Sequence, residues 1–319
     1  MELNGPMRLV FLGSPAFAVP TLERLVESGA RVLEVVTQPD RPRGRGQQAA
    51  APPVKEAALR LGIPVYQPER VRRPEAVERL RTLEPDAMVV VGYGQIIPRV
   101  VIDIPRFGIV NVHASLLPKY RGAAPVQWAI VNGETHTGVT TMQIDAGLDT
   151  GDMLLSAETG IGPSETAVEL GARLAAMGAD LLIRTLEGLE AGSIAARKQD
   201  AAEATYAPLL KKEDGRIDWD LPAEAIHNRV RGFQPWPGAY TAFRGGALRI
   251  WRSRPAAASC LAGLAAGRLA SIMPLVVSCG SGALELMEVQ LEGRRRMSAA
   301  DFANGHRLTE NDFLGETRI

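Results

Sequence analysis

The chain has 319 residues, of which 46% are hydrophobic and 23% are charged, and its 36 basic residues balance 36 acidic ones. This length exceeds that of a typical single domain and predicts two domains, while the ordinary composition permits a large packed core. A formal net charge of zero excludes any global argument for nucleic-acid binding, so a surface of that kind must come from local segregation of charge.

The cysteines and the apolar stretches bear on where the protein acts. The two cysteines, Cys260 and Cys279, have no metal-ligand spacing, which favours buried thiols in a reducing compartment. Residues 1–7 lack the basic and apolar regions of a signal peptide, and no stretch approaches the roughly 20 apolar residues that a membrane span needs. We therefore expect a cytoplasmic protein that does not enter a membrane.

The N-terminal part alternates short apolar segments with amphipathic ones, a pattern typical of an α/β fold with a Rossmann-like, mostly parallel sheet. Strands are predicted at residues 8–12, 32–37, 64–67, 86–91 and 108–112, and helices at 16–28, 54–61, 74–83 and 165–189. The first turn, Gly13-Ser14-Pro15, lacks the second and third glycines of the dinucleotide-binding loop. This difference argues against an NAD-dependent enzyme.

Residues 38–48 form a predicted loop that contains prolines, glycines and three arginines, Arg41, Arg43 and Arg45. Basic surface loops are commonly only solvated. Alternating glycine and arginine can instead supply charge without a fixed backbone, and such a segment orders against phosphates when nucleic acid arrives. Both interpretations stay open on composition alone.

The strand predicted at 86–91 is followed by the loop Gly92-Tyr93-Gly94-Gln95-Ile96-Ile97-Pro98. Its glycines either only turn the chain or bring main-chain groups close to a flat heterocycle, with Ile96 and Ile97 as apolar walls. The loop therefore has a structural interpretation and a ligand-binding one.

Polar side chains interrupt the apolar strand predicted at 108–112. Asn111 and His113 are two residues apart, so they point to the same face at the carboxyl end of the strand, where ligands bind in an open α/β sheet. A later segment, Gly147-Leu148-Asp149-Thr150-Gly151-Asp152, follows a strand predicted at 138–144 and can bring a carboxylate back over that strand end. Taken singly, each of these residues is most often an ordinary hydrogen-bonding or capping residue.

Together the amide, the imidazole and the carboxylate suit acyl or one-carbon transfer to an amine. Asn111 can donate its side-chain N–H to a developing oxyanion, and His113 can move protons near neutral pH. Asp149 can orient the imidazole or hold a water that relays the proton. No nucleophilic side chain is required, because the acceptor amine itself attacks, and the Gly-x-Ser-x-Gly motif of a serine hydrolase is absent around Ser115.

The other histidines, His136, His227 and His306, are scattered along the chain without metal-ligand spacing. We therefore expect no metal in the site.

The C-terminal part begins after a small, polar stretch that is predicted to be a linker over residues 191–208. Short apolar segments separated by Gly-rich turns then predict a small β-barrel over residues 209–319. Only the regions 224–230 and 299–303 are predicted to be helical.

Three motifs of this chain resemble those of the folate-dependent formyltransferase family: Asn111-Val112-His113-Ala114-Ser115-Leu116-Leu117-Pro118, Arg121-Gly122-Ala123-Ala124-Pro125, and Gly147-Leu148-Asp149-Thr150-Gly151-Asp152. The resemblance covers both predicted domains. It implies a catalytic domain over residues 1–190 and a smaller OB-like β-barrel over 209–319. One departure is Lys119-Tyr120, where an Arg-Trp type pair is also common in the family, and it affects no catalytic residue.

The resemblance also implies a reaction and its partners. The formyl group of 10-formyltetrahydrofolate would pass to the α-amine of initiator methionyl-tRNA, in an enzyme that is expected to be a monomer. By resemblance the catalytic residues are Asn111, His113 and Asp149. The residues that line the folate would be Gly94, Gln95, Ile96, Ile97, Ser115, Leu116, Leu117 and Pro118. The arginine loop would enter the tRNA acceptor stem through Arg41, Arg43 and Arg45, of which Arg45 is the foremost contact.

Two other functions stay open. A formyltransferase that acts on a small amine, such as a nucleotide-linked amino sugar or a purine precursor, would share the same three catalytic residues. A catalytically silent tRNA-binding protein on an enzyme-like scaffold would not need them. The arginine loop favours tRNA as the acceptor, and the intact Asn111, His113 and Asp149 favour an enzyme.

Overall fold

The structure is a computed structural model, and it describes residues 6–43, 48–256 and 264–315. The strands are β1 Arg8–Gly13, β2 Arg31–Val36, β3 Arg41–Arg43, β4 Gln48–Ala50, β5 Val65–Tyr66, β6 Ala87–Val91, β7 Ile109–His113, β8 Arg121–Gly122, β9 His136–Gln143, β10 Met153–Gly160, β11 Tyr206–Ala207, β12 Ala239–Phe243, β13 Gly246–Ala256, β14 Leu269–Ser271, β15 Val276–Ser278, β16 Ala283–Leu291 and β17 Met297–Ser298.

The α-helices are α1 Val19–Glu27, α2 Pro53–Arg60, α3 Pro74–Thr82, α4 Arg99–Ile102, α5 Pro125–Val131, α6 Ala167–Glu190, α7 Ala223–Gly232 and α8 Ala299–His306. Short 3-10 helices occupy Ala16–Ala18, Ala201–Glu203 and Lys212–Gly215. None of the helices that the structure describes is long and apolar enough to cross a membrane.

The chain forms two compact units, and it passes between them more than once. The first unit comprises Met1–Gly122, Thr137–Thr159 and Gly171–Tyr206, and the second comprises Ala123–His136, Gly160–Leu170 and Ala207–Ile319. The domain boundaries predicted at residues 190 and 209 remain predictions.

The first unit is built on a seven-stranded sheet in the order β10-β9-β7-β6-β1-β2-β5. Strands β5, β2, β1, β6 and β7 pair in parallel, and β9 pairs with β7 in the antiparallel sense. Every residue of β6 and of β7 is buried, as expected for strands that are covered on both faces of a parallel sheet. The predicted mostly parallel α/β sheet is therefore confirmed.

The loop predicted at 38–48 contains regular structure that the sequence analysis missed. Arg41 pairs with Ala50 and Pro42 with Ala49, so β3 and β4 form a short antiparallel ladder. The two strands are held together by backbone groups, and a strand of three residues is too short to show a hydrophobic period. The sequence pattern therefore does not predict β3 and β4. Arg45 lies outside the described residues.

The second unit carries an antiparallel sheet of six strands in the order β12-β13-β16-β15-β14, with β17 paired to β16. Its core includes Phe243 and Phe302, whose rings meet edge to face with centroids 5.1 Å apart. Cys279 is a buried free thiol, and burial raises its pKa to about 12. Cys260 lies outside the described residues. The predicted smaller C-terminal β domain is confirmed as an antiparallel sheet, and its closure into an OB-like barrel remains a prediction.

Helix α6 packs behind the strand that carries the predicted site. Val112 lies between Asn111 and His113, so it points to the opposite face of β7. A Cβ atom added at Gly178 of α6 would lie 2.7 Å from Val112 Cγ1 and 3.3 Å from Val139 Cγ1. The absence of a side chain at Gly178 therefore allows the helix to approach β7 and β9 closely.

We expect Gly178→Ala to lower the free energy of unfolding by about 1–3 kcal/mol, because the new methyl group would overlap the stiff β-branched Val112. Gly171→Ala on the same helix is the matched control, since a Cβ atom there would meet nothing within 4 Å. The control should gain about 0.4–1 kcal/mol from helix propensity. Urea denaturation of both variants measures the difference, and equal stabilities would contradict this account of the packing.

Candidate active site

Strand β7 carries two polar side chains into a buried position. Asn111 is only 8% exposed and His113 only 6% exposed. The backbone of Asn111 lies between Val90 of β6 and Met142 of β9, in the middle of the sheet. The two side chains share one face of β7, opposite to the face that α6 covers.

The His113 ring has a protein group beside each nitrogen. Its Nε2 lies 2.9 Å from the carbonyl oxygen of Tyr120. A carbonyl only accepts hydrogen bonds, so Nε2 carries a hydrogen and donates it. The other nitrogen, Nδ1, faces Asp149 Oδ2 across 3.6 Å. That separation is an ion-pair distance when the ring is protonated, and it is too long for a direct hydrogen bond.

The Asp149 carboxylate is held from two sides. The backbone N–H of Gly122 donates to Asp149 Oδ2 over 2.9 Å, and the His113 ring lies on the other side. Asp149 has a φ of 51°, in the left-handed region that aspartate tolerates better than most residues. It lies inside a local turn that Asp145 closes by accepting hydrogen bonds from the Gly147 N–H and the Thr150 hydroxyl.

The Asn111 side chain differs from its two neighbours. Among the residues that the structure describes, none forms a hydrogen bond with its amide. The amide is not among the fully enclosed polar groups that lack a partner, so it is open to solvent or to a bound ligand. The structure thus brings His113 and Asp149 together and leaves the Asn111 donor available on the same face.

The loop after His113 is fixed by buried hydrogen bonds. Ser115 is fully buried and donates its hydroxyl to the Lys119 carbonyl over 2.6 Å. Thr140 of β9 donates its hydroxyl to the Ser115 carbonyl over 2.7 Å and accepts the N–H of Leu117 over 3.1 Å. Leu117 is buried, and Leu116 and Pro118 are half-buried. Within the predicted folate-lining stretch, the Ser115 hydroxyl is therefore already engaged in the loop itself.

The second predicted folate-lining stretch, Gly94–Ile97, divides into unlike environments. Ile96 is 90% exposed, whereas Ile97 is 8% exposed and belongs to the core of the first unit. The Gln95 side chain accepts the N–H of Val71 over 2.8 Å and so ties the loop to the chain before α3. Gly94 adopts a φ of 79°, which favours glycine. Of the two isoleucines, only Ile96 presents its side chain to solvent.

A cavity of about 550 Å³ opens at the carboxyl ends of β1, β2 and β6, beside the β3–β4 hairpin. Its lining comprises Ser14, Pro15, Gln38, Pro39, Arg41, Pro42, Ala50, Ala51, Pro52, Pro53, Gly92, Tyr93 and Gly94. The cavity is thus separate from Asn111, His113 and Asp149. It includes the exposed Arg41, whereas the side chain of Arg43 is outside what the structure describes.

One residue beside the Asp149 loop was not predicted from the sequence. Gln199 lies in the stretch predicted to be a linker, yet its side chain donates to the carbonyls of Asp149 and Gly151 over 2.9 and 2.7 Å. A glutamine in a polar stretch without a period gives no signal of such a contact. Within the described ranges, no three His, Cys, Asp or Glu side chains cluster closely enough to hold a metal ion.

The mostly parallel sheet, with polar side chains at the end of β7, is the architecture of an α/β enzyme. Comparison with known proteins identifies the family. Residues 7–186 match the family described as "Formyl transferase", and residues 209–307 match "Formyl transferase, C-terminal domain". The chain therefore belongs to the formyl transferase family and is an enzyme of that class. The resemblance to folate-dependent formyltransferases is confirmed.

Particular relatives resemble the chain over its full length. The methionyl-tRNA formyltransferase of Solibacter usitatus is 70% identical over 313 residues, covering 98% of this chain and 100% of that protein. The enzyme of the same name from Koribacter versatilis is 56% identical, covering 97% and 99%. The crystal structure of WlaRD, a sugar 3N-formyl transferase in the presence of dTDP and 5-N-formyl-THF, shares the fold, with a TM-score of 0.66, 18% identity and 91% and 99% coverage.

We expect Thr140→Val to lower the free energy of unfolding by about 1–3 kcal/mol, because the Ser115 carbonyl and the Leu117 N–H would lose a buried partner. Thr140→Ser keeps the hydroxyl and removes only a methyl group, so it should lose less. Urea denaturation of the two variants measures the difference. A valine variant as stable as the serine variant would mean that these hydrogen bonds do not fix the loop.

Proposed function

We propose that this enzyme transfers the formyl group of 10-formyltetrahydrofolate to the α-amine of initiator methionyl-tRNA. The observation that carries the chemistry is the His113–Asp149 pair beside the unbonded amide of Asn111. Full-length relatives with 70% and 56% identity are named methionyl-tRNA formyltransferase, which supports this choice of acceptor. The presence of a formyl folate in the WlaRD structure supports the choice of donor.

The reaction joins the acceptor nitrogen to the formyl carbon and breaks the bond between that carbon and N10 of the folate. The amine attacks as a neutral nucleophile, and the carbonyl oxygen of the tetrahedral intermediate becomes an oxyanion. The Asn111 N–H donates to this oxyanion. One proton leaves the amine and one reaches N10. Because the amine attacks the formyl carbon directly, the enzyme forms no covalent intermediate.

In this mechanism His113 moves the proton through Nδ1. Its Nε2 is already bonded to the Tyr120 carbonyl, which leaves Nδ1 as the nitrogen with a replaceable partner. The gap of 3.6 Å between Nδ1 and Asp149 Oδ2 lets a reacting atom or a water approach both groups. The Asp149 carboxylate then stabilises the imidazolium while it carries the proton.

Cytoplasmic location and a monomeric state remain predictions.

The β3–β4 hairpin supports a nucleic-acid acceptor. Arg41 is exposed at the base of the hairpin and lines the cavity beside it. Arginine contacts to phosphates fix the register of a nucleic acid without reading its sequence. We assign Arg41, Arg43 and Arg45 to contacts with the acceptor stem.

The catalytic assignment predicts large losses of turnover. We expect Asn111→Ala to lower kcat by about 10²–10³-fold, because an oxyanion donor is lost, and His113→Ala by about 10²–10⁴-fold. His136→Ala is the control, since that histidine is exposed and should be dispensable. Formylation of methionyl-tRNA measures kcat, and calorimetry checks that the folate still binds. Full turnover in His113→Ala would overturn the assignment.

The acceptor assignment predicts a change in salt dependence. We expect Arg41→Ala and Arg45→Ala each to weaken tRNA binding and to reduce the slope of log K against log salt by about 1, since one phosphate contact is lost. Arg184→Ala, at an exposed position on α6, is the control. Filter binding at several salt concentrations measures the slopes. Efficient formylation of an amino sugar nucleotide, with no transfer to methionyl-tRNA, would contradict the assignment of methionyl-tRNA as the acceptor.

A further inference from the structure

The position of the Asp149 carboxylate depends on how its loop is held. Asp149 adopts the left-handed backbone conformation, which a residue other than glycine keeps only where the surrounding contacts hold it. The hydrogen bonds of Asp145 with Gly147 and Thr150 close the loop around Asp149 but do not reach the Asp149 peptide itself. The carbonyl groups of Asp149 and Gly151 need partners from another segment.

Gln199 supplies both partners with one side chain. Its Nε2 donates one hydrogen to the Asp149 carbonyl over 2.9 Å and the other to the Gly151 carbonyl over 2.7 Å. The segment that carries Gln199 is itself fixed, because Arg197 and Met153 exchange two backbone hydrogen bonds of 2.8 Å. The Gln199 amide therefore bonds two carbonyls of the Asp149 loop from a segment whose backbone is itself held in place.

Arg121 fixes which way the Gln199 amide points. Its Nε and Nη2 donate to Gln199 Oε1 over 3.0 and 2.8 Å. A guanidinium has only donors, so the oxygen must face Arg121 and the two hydrogens must face the carbonyls. Arg121 is 5% exposed, and among the described residues no carboxylate lies within ion-pair distance of it. Its charge is thus directed at the Gln199 oxygen.

The residues on either side of Arg121 contact the proposed catalytic pair directly. The Tyr120 carbonyl accepts the His113 Nε2 hydrogen, and the Gly122 N–H donates to the Asp149 carboxylate. Three successive residues therefore hold the imidazole, the amide of Gln199 and the carboxylate. The contacts form a closed ring, so displacing Gln199 moves Asp149 relative to His113.

We propose that Gln199, oriented by Arg121, is a positioning residue that sets the distance between the Asp149 carboxylate and His113 Nδ1. This inference rests on the proposed role of Asp149 in formyl transfer. A residue that only stabilised the fold would alter the free energy of unfolding without depending on whether position 149 carries a carboxylate.

Gln199→Glu is the sharpest test. The glutamate keeps an acceptor for Arg121, but as a carboxylate it has no hydrogen to donate to the two carbonyls. We expect kcat for methionyl-tRNA formylation to fall by about a hundredfold, the effect of a small misplacement of a reacting group, while the KM values change little. In an Asp149→Asn background the same substitution should lower kcat no further, because the carboxylate it positions is gone.

The outcomes separate this inference from the proposed function. Full kcat in Asp149→Asn would remove the role of Asp149 itself, whatever Gln199 does. Loss of kcat in Asp149→Asn with full kcat in folded Gln199→Glu would overturn the positioning role alone, as would an equal loss from Gln199→Glu in both backgrounds. If the glutamate variant does not fold, Gln199→Asn, which shortens the amide by one methylene group, is put through the same comparison.

Discussion

The molecule is organised around the burial of polar groups on β7. A strand in the middle of a parallel sheet is normally apolar, because an amide or imidazole there loses its water and must be bonded within the protein. His113 meets this requirement at Nε2, which is bonded to the Tyr120 carbonyl, while its Nδ1 faces the Asp149 carboxylate at 3.6 Å. Asn111 has no such partner among the described residues, and its amide is not fully enclosed, which is compatible with the oxyanion contact proposed for it. His113 is therefore bonded within the protein, whereas the Asn111 side chain on the same strand is not bonded by any described residue.

The segment from 113 to 122 shows how a short loop can meet these demands. It leaves the strand at His113, is pinned to β9 by Thr140, and returns so that Tyr120 and Gly122 bracket the pair formed by His113 and Asp149. Most of these contacts use backbone groups, whose positions depend on the path of the chain. The side chains that we propose to be catalytic are thus positioned by backbone groups of their neighbours.

Much of the fold was predictable because it follows from periodicity. Strand β6 is an apolar run of five residues, β7 is a mostly apolar strand, and α6 shows its apolar residues at helical spacing, so these elements were predicted within one or two residues of the observed ends. The β3–β4 hairpin was missed because backbone pairing alone forms it. Strand β10 was missed as well, although its burial alternates along most of its length.

The site was predictable only where side-chain chemistry marks it. Asn111 and His113 stand out because they interrupt an apolar strand, and the glycines around Asp149 mark a tight loop. Gln199 carries no such mark, since a glutamine in a polar stretch is usually solvated and its partners are backbone carbonyls. Contacts between a side chain and the backbone of a distant segment depend on the tertiary path, which composition and spacing do not encode.

In the proposed reaction two substrates react without a covalent intermediate, and the order of the strands bears on how they can meet. Direct transfer requires donor and acceptor to be bound at the same time, with the reacting atoms near 3–3.5 Å apart. Neighbouring strands of a sheet lie about 4.8 Å apart, and β6 is next to β7. The cavity at the ends of β1, β2 and β6 is lined in part by Gly92, Tyr93 and Gly94, which follow β6, the strand next to β7. In the proposed reaction, a substrate held in this cavity would therefore lie at the end of the strand beside the one that carries Asn111 and His113.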